Sequence, residues 1–352
     1  PLIDQDLSVV FYDLTTVGVT GQTDLEEDVR AYGRAKSGLV ERQFMLSLVQ
    51  TAEGLPIAHE VHSGNTAEAK TLLPMIRGLL QRYPLRRVVL VADRGLLSVS
   101  NIEELTKLQA QLKEDGRDVA LEYILAVPAA RYGDFADDLK CLSQAQTKDQ
   151  AADKLWCAET KWQDNRLVVA HDPVVATRRR QARDKTIAEL VTIGQQCSDK
   201  LDGQDAGKRA KGRPMSDSGT KARFYHAVKD AHMAHVIKVD LKAELFTYSI
   251  DEDKKRYLEL LDGKLLLVTN TNAPAPEVVQ RYKSLADIER GFRVLKSDIE
   301  IGPVYHRLPR RIRSNALVFF MALLLDRVMR MRPSAARRPE SPTPLLEHHK
   351  RI

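Results

Sequence analysis

The sequence predicts an α/β fold: a mixed five-stranded sheet flanked by helices, with a large, partly β insertion ahead of a late helix. Three observations lead there. Hydrophobic, β-branched runs of strand length fill much of the first 130 residues and then alternate with amphipathic helical spacing. The regularity breaks from about residue 131 to residue 262. It resumes with a short apolar run and a helix on which Tyr282, Glu289 and Lys296 stand seven residues apart.

Taken in order, Val9–Leu14, Gln43–Gln50 and Pro56–His62 read as strands, and the turn Ala52-Glu-Gly-Leu55 joins the last two into a hairpin. A polar stretch, Gly21 to Ser37, separates the first two and holds the basic cluster Gly33-Arg-Ala-Lys-Ser37. Leu72, Leu73, Ile76, Leu79 and Leu80 fall at helical spacing in a helix at about Ala67–Tyr83, with Asn65 and Glu68 as capping residues. Strand Val88–Ala92, a helix at about Val99–Glu114 and strand Leu121–Val127 follow. Three antiparallel strands and then helix–strand–helix–strand is the element order of the RNase H-like fold, an identification made by analogy.

The insertion opens with an acidic, polar stretch at Asp134–Asp153. A turn and strand around Trp162–Ala170, a charged helix at Arg178–Cys197 and a Gly/Asp/Lys/Ser loop at Leu201–Thr220 come next. Strands at His235–Asp240 and Leu245–Ile250 and a short helix to Leu261 complete it. The turn Asp262-Gly263 leads into strand Leu265–Thr269, and the prolines of Ala273-Pro-Ala-Pro-Glu277 suit the first turn of the late helix. The expected organisation is a core at 1–130 and 263–332, an insertion at 131–262 and a disordered basic tail at 333–352.

Hydrophobic content of 43% and charged content of 29% describe a globular chain with ample core. The net charge of +6 is uneven: residues 301–352 hold 11 Arg/Lys against 3 Asp/Glu. Such clustering suits a polyanion partner, or a solvated basic tail. Three scattered cysteines, Cys141, Cys157 and Cys197, with no Cys-x2-Cys pair, argue for a reducing compartment and against a zinc ribbon. The strongest apolar run, Ala316–Leu325, is half the length needed to span a bilayer, so it reads as a buried core helix and no membrane partner is expected.

Alternation along a strand gives Val9, Phe11 and Asp13 one face, and likewise Val89, Val91 and Asp93, each run ending at its aspartate. Leu285, Ile288, Phe292, Leu295 and Ile299 form an apolar stripe that would anchor the helix of Glu289. Singly, a strand-end aspartate is commonly a turn residue, and Glu289 can pair with Arg293 four residues on. Together, three carboxylates from two strands and a helix could meet at one edge of a sheet. Oxygen ligands of that kind suit a hard divalent cation, and two such ions about 4 Å apart serve phosphodiester chemistry.

On these residues the chain resembles the DDE transposases of bacterial insertion sequences. The resemblance rests on the order Asp13, Asp93, Glu289, on Ala92-Asp-Arg-Gly95, and on Tyr282-x2-Leu285-x3-Glu289-x6-Lys296. Gly64-Asn65 with Glu68, Thr269-Asn270 and the run Arg293 to His306 are similar to wording in the same family. It covers about residue 7 to about residue 330, and it is nearest to the branch whose last motif is Tyr-x2-Arg-x3-Glu-x6-Lys, in which Leu285 here replaces the arginine. It implies a catalytic, metal-holding triad of Asp13, Asp93 and Glu289 with Mg²⁺, for which Mn²⁺ substitutes. It also implies double-stranded DNA as partner, both element ends and target, a homodimer on that DNA and a bacterial, cytoplasmic, nucleoid-associated setting. Tyr282 and Lys296 would contact phosphate, and Arg293, Arg94, Arg34, Lys36, Arg310, Arg311 and Arg313 are the further DNA-binding candidates. Only twelve residues precede Asp13, where the family carries an end-recognition region. A fragment that binds DNA without cutting it is therefore an alternative, and an RNase H-like nuclease is another.

Overall fold

A computed structural model describes residues 8–21, 28–34, 39–67, 70–83, 85–92, 99–146, 155–207, 214–286, 296 and 301–335. The chain divides into two compact units. The first comprises Pro1–Arg131, Glu159–Val168 and Leu266–Ile352; the second comprises Tyr132–Ala158 and Val169–Leu265.

In the first unit, β1 (Val9–Gly18), β3 (Val40–Thr51) and β4 (Pro56–Ser63) are the three expected antiparallel strands. Between β1 and β3 lies a strand missed in the polar stretch, β2 (Ala31–Arg34). It has no hydrophobic alternation to announce it. Its four residues pair with Val40–Gln43, while β4 pairs with Phe44–Gln50, so β2 and β4 share one edge of β3 end to end. β1 pairs antiparallel with β3 and parallel with β5 (Arg87–Ala92), which pairs parallel with β6 (Ala120–Ala126). The order β4-β3-β1-β5-β6 is the five-stranded mixed sheet of the RNase H-like fold.

The sheet is wider than expected. β11 (Lys264–Thr269) pairs antiparallel with β6 and covers what would be an exposed edge. Among the described residues the order continues through β8 (Asn165–His171) to β7 (Trp156–Trp162), giving nine strands.

Helix α1 (Leu72–Arg82) buries Leu72, Met75, Ile76, Leu79 and Leu80 and begins five residues later than its apolar spacing suggested. Asn65 is not its cap: its Oδ1 accepts the Ser63 hydroxyl at 2.8 Å, and Glu68 lies outside the described residues. The N-cap is Thr71, whose hydroxyl accepts a hydrogen bond from the Tyr12 phenol at 2.6 Å. This bond puts α1 on the Tyr12 face of β1. Helix α2 (Val99–Glu114) lies where its periodicity placed it and buries Ile102, Leu105, Leu108 and Leu112.

The opposite face belongs to the last helix, α8 (Pro309–Ala335). Val17, Phe44, Leu46 and Leu48 pack with Ile312, Ala316, Phe320 and Leu323. The expected fully buried helix is in fact two-sided, because the other side leaves Leu317, Val318, Met321 and Leu325 exposed. The helix also runs to Ala335, past the expected start of the tail; residues 336–352 lie outside the described ones.

Next to β2 sits a charged knot. Arg30 donates from its Nε and Nη2 to the Asp28 carboxylate, Arg42 reaches the same carboxylate at 3.3 Å, and all three side chains are nearly sealed from solvent. Burial pushes the Asp28 carboxyl up, but the Arg30 hydrogen bonds and the two guanidinium charges outweigh it and hold the carboxyl below its ordinary value. A carboxyl so depressed stabilises the fold in full above the unfolded-state value of about 4, and that contribution is lost as pH falls through the depressed value. Asp28→Asn is therefore expected to lower stability at pH 7 and to flatten the acid limb of a stability–pH curve followed by circular dichroism.

The second unit holds the elements the composition blurred. A 3₁₀ turn (Ala129–Phe135) straddles its boundary, and α3 (Ala136–Gln146) occupies the supposedly irregular acidic stretch. Helix α4 (Pro173–Asp205) is capped by Asp172, which accepts from the backbone N–H groups of Val174 and Val175. Its length carries it into the predicted loop. Helix α5 (Asp217–Asp230), capped by Ser216, ends that loop early, and residues 208–213 lie outside the described ones. Leu190 and Leu201 of α4, Phe224 and Val228 of α5, Ile237 of β9 (Ile237–Val239) and Phe246 make this unit's core. Strand β10 (Tyr248–Ile250) pairs with β9, and α6 (Glu252–Leu261), capped by Asp251, leads to Gly263 at φ 68°, a conformation suited to glycine.

Candidate active site

Asp13 does not end its strand. β1 runs five residues further because it stays paired with β3 as far as Gly18↔Gln43 and buries Val17 against the α8 core. Asp13 is half-buried and sits opposite Leu48, on the sheet face that α8 covers. Its Oδ1 accepts the backbone N–H of Leu14 at 2.7 Å, which fixes the carboxylate's direction. On the other face, burial raises the Tyr12 phenol far above its ordinary value, against its hydrogen bonding with Thr71 and Ser47. It stays a neutral donor to Thr71.

β5 delivers the second acidic position. The parallel register pairs Val9 with Val89, Val10 with Leu90, Phe11 with Val91 and Tyr12 with Ala92. The next residues in the chain are Asp13, still in β1, and Asp93, directly after β5. Asp93, Arg94, Lys36, Glu289 and Arg293 lie outside the described residues, so the meeting of the three carboxylates is not described either. Among the described residues, no group of three or more His, Cys, Asp or Glu side chains could hold a metal ion.

Helix α7 (Ala275–Lys283) begins the segment that leads to residue 289, and its Val278 and Val279 are buried. Tyr282 on it is half-buried, Lys296 is exposed, and Leu285 is buried, so the position that differs from the motif packs into the fold. Two side chains not anticipated from the sequence fix where this helix starts. Asn270 accepts the Tyr123 N–H at 2.8 Å through Oδ1 and donates to the Leu121 carbonyl at 3.2 Å through Nδ2, bonding the edge of β6 as another strand would. Arg166 donates from Nη1 to the carbonyls of Thr271 and Ala273 and pairs through Nη2 with Glu159. The Thr269-Asn270 wording marked the place; nothing in the sequence singled out Arg166.

Arg310, Arg311 and Arg313 are exposed in the first turns of α8, around the buried Ile312. The segment before them is tied to the end of β1: Val304 N–H bonds the Gly18 carbonyl, and Thr20 N–H bonds the Val304 carbonyl. Arg34, also exposed, ends β2, which pairs with β3 next to the residue opposite Gly18. Arg34 and the α8 arginines thus belong to the same end of the sheet. Among the described residues, no helix is long and apolar enough to cross a membrane.

A family model described as a transposase DDE domain matches residues 4–325. Comparison with curated proteins finds no match. Among solved structures, a Mos1 transposase paired-end complex with the left transposon end is similar at 17% identity and a TM-score of 0.21. That likeness covers 40% of this chain and 42% of that one.

Proposed function

Because the chain belongs to the transposase DDE domain family, we propose that it cuts DNA at the ends of a mobile element and joins them to target DNA. Asp13, Asp93 and Glu289 would form the catalytic centre. The observation that carries this assignment is the parallel register of β1 and β5, whose last pair, Tyr12↔Ala92, is followed on each strand by an aspartate. An aspartate directly after the last paired residue of each of two neighbouring strands would be an economical way to concentrate hard oxygen donors. Such a donor set suits Mg²⁺, with Mn²⁺ as a substitute. A divalent ion bound there supplies a deprotonated oxygen nucleophile near neutral pH and charge stabilisation for the leaving oxygen.

The remaining residues position the substrate. Asn270 and Arg166 pin the start of α7, which carries Tyr282. Tyr282, Lys296, Arg293, Arg94, Arg34, Lys36, Arg310, Arg311 and Arg313 would hold phosphates of the element end and the target. Working on two ends at once calls for a second copy on the DNA, in a bacterial nucleoid. The 131–262 region would be an insertion within a catalytic core, with Glu159–Val168 belonging to the first unit.

The test is cleavage and gel-shift on one preparation, using an end-bearing duplex with Mg²⁺ and then Mn²⁺. Cutting that leaves a 3′-hydroxyl, followed by joining of a pre-cut end, is the expected result. Binding without any cutting would instead favour a DNA-binding fragment, and cutting without joining would favour a nuclease. Lys296→Ala is expected to weaken binding to all sequences alike and to reduce the slope of log K against log salt by about one unit. An unchanged slope would make Lys296 a plain surface charge.

A further inference from the structure

Lys264, the first residue of β11, sits in a cluster that the transposition chemistry does not use, wholly within the second unit. Its Nζ lies 3.0 Å from Nδ1 of His171, the last residue of β8, and 5.0 Å from the ring centroid of Trp156, over the indole face. The imidazole packs on the same indole at 5.4 Å. Tyr132 donates to the Lys264 carbonyl at 3.5 Å and holds the backbone. The nearby charges are engaged elsewhere. Asp262 is in a two-pronged pair with Arg183, and Asp172 caps α4. Among the described residues, no carboxylate lies within ion-pair distance of this amine.

An ammonium held half out of water against an indole and an imidazole, with no carboxylate partner, is poorly compensated. Burial pushes the amine down to about 8, with the Asp262 charge pulling the other way. Burial and then the Lys264 charge hold the His171 imidazole below its ordinary value, although Asp172 and Asp262 oppose this. At neutral pH the imidazole is therefore uncharged, and with its proton on Nε2 it presents an acceptor nitrogen to the amine.

We propose that Lys264 is a covalent modification site that takes an acyl group from a small acyl phosphate, with His171 receiving the proton. The amine lone pair attacks the acyl carbon and forms the C–N bond. The bond from that carbon to the phosphate oxygen breaks, and inorganic phosphate leaves with the electron pair. The proton shed by nitrogen passes to Nδ1 of His171 and on to water. No oxidant, reductant or metal is needed. A half-buried amine selects a compact donor, and the neutral amide product removes the cation from the indole face. This site stands independently of the transposase assignment.

The probe is acetyl phosphate, applied to the full folded chain at pH 7, with acetylation at each lysine followed by mass spectrometry. Lys185 and Lys140, both exposed, serve as internal standards. A pKa near 8 rather than about 10.4 raises the free-amine fraction at pH 7 by roughly two orders of magnitude. Lower basicity and burial reduce that advantage, so Lys264 is expected to react about tenfold faster than Lys185. Its rate should level off above about pH 8, while that of Lys185 keeps rising, and the preference should vanish in urea. His171→Phe should slow Lys264 alone. A Lys264 rate at or below that of Lys185 overturns the site, as does a preference that survives unfolding. An unchanged rate in His171→Phe overturns the proton transfer.

Discussion

Asp13→Asn is expected to leave the protein folded and able to bind an end-bearing duplex while cleavage falls by several orders of magnitude. The amide keeps the side chain's size and can still accept the Leu14 N–H that orients it, so the local backbone has no reason to move. It loses the negative charge that holds a hard cation. Activating the nucleophile and stabilising the leaving oxygen are each worth several kcal/mol, at about 1.4 kcal/mol per tenfold in rate. Asp93→Asn should behave alike. Binding should hold or tighten, since a carboxylate near a phosphate repels it when no cation intervenes. Cleavage and gel-shift on one preparation decide the matter: loss of both means misfolding, and retained cleavage removes Asp13 from the centre.

The second large effect is structural. Arg183 of α4 and Asp262 after α6 form a two-pronged pair, with Nη1–Oδ1 at 3.1 Å and Nη2–Oδ2 at 2.7 Å. Their side chains are only 9% and 10% exposed. Asp262→Ala leaves a guanidinium buried without its counter-charge, a loss of about 3–5 kcal/mol, whereas replacing both partners by apolar residues of similar size is often neutral or stabilising. Urea unfolding of Asp262→Ala, Arg183→Met and the double variant Arg183→Met/Asp262→Leu tests this. The double variant should be more stable than either single one. Single losses that simply add in the double variant would show that the two side chains do not act as a pair.

The strands and helices of the core were legible where burial imposes a period. The Val99–Glu114 helix and the Arg87–Ala92 strand lie within a residue of expectation because each must present apolar side chains at a fixed spacing. Ala31–Arg34 was illegible for the opposite reason: it is an edge segment with only Ala31 and Gly33 partly covered, held by backbone pairing to β3. Gly64 explains what pattern alone could not. A Cβ there would lie 2.0 Å from the Gln43 carbonyl and 2.7 Å from that of Ala31, so this glycine lets three backbones converge. At the candidate site, Asp13 was singled out by its residue type and strand, but its place within the strand depends on the partner β3. Arg166 was missed and Asn270 was marked only by the resemblance, because their roles lie in hydrogen bonds to main-chain groups remote in sequence, which leave no trace in composition or period.

The core that α8 closes has a consequence for how the chain is made. Val17, Phe44, Leu46 and Leu48 leave the ribosome well before Ile312, Ala316, Phe320 and Leu323, which cover them. At roughly 5–20 residues per second, the early strands wait on the order of tens of seconds for their cover. Meanwhile most of the second unit, from Val169 to Leu265, is synthesised without a break and has its own core to fold around. The nascent chain therefore holds an apolar sheet face bare until residues 312–323 emerge, a natural binding surface for a chaperone. A ribosome that stops before residue 301 releases a polypeptide whose first sheet never acquires its second layer.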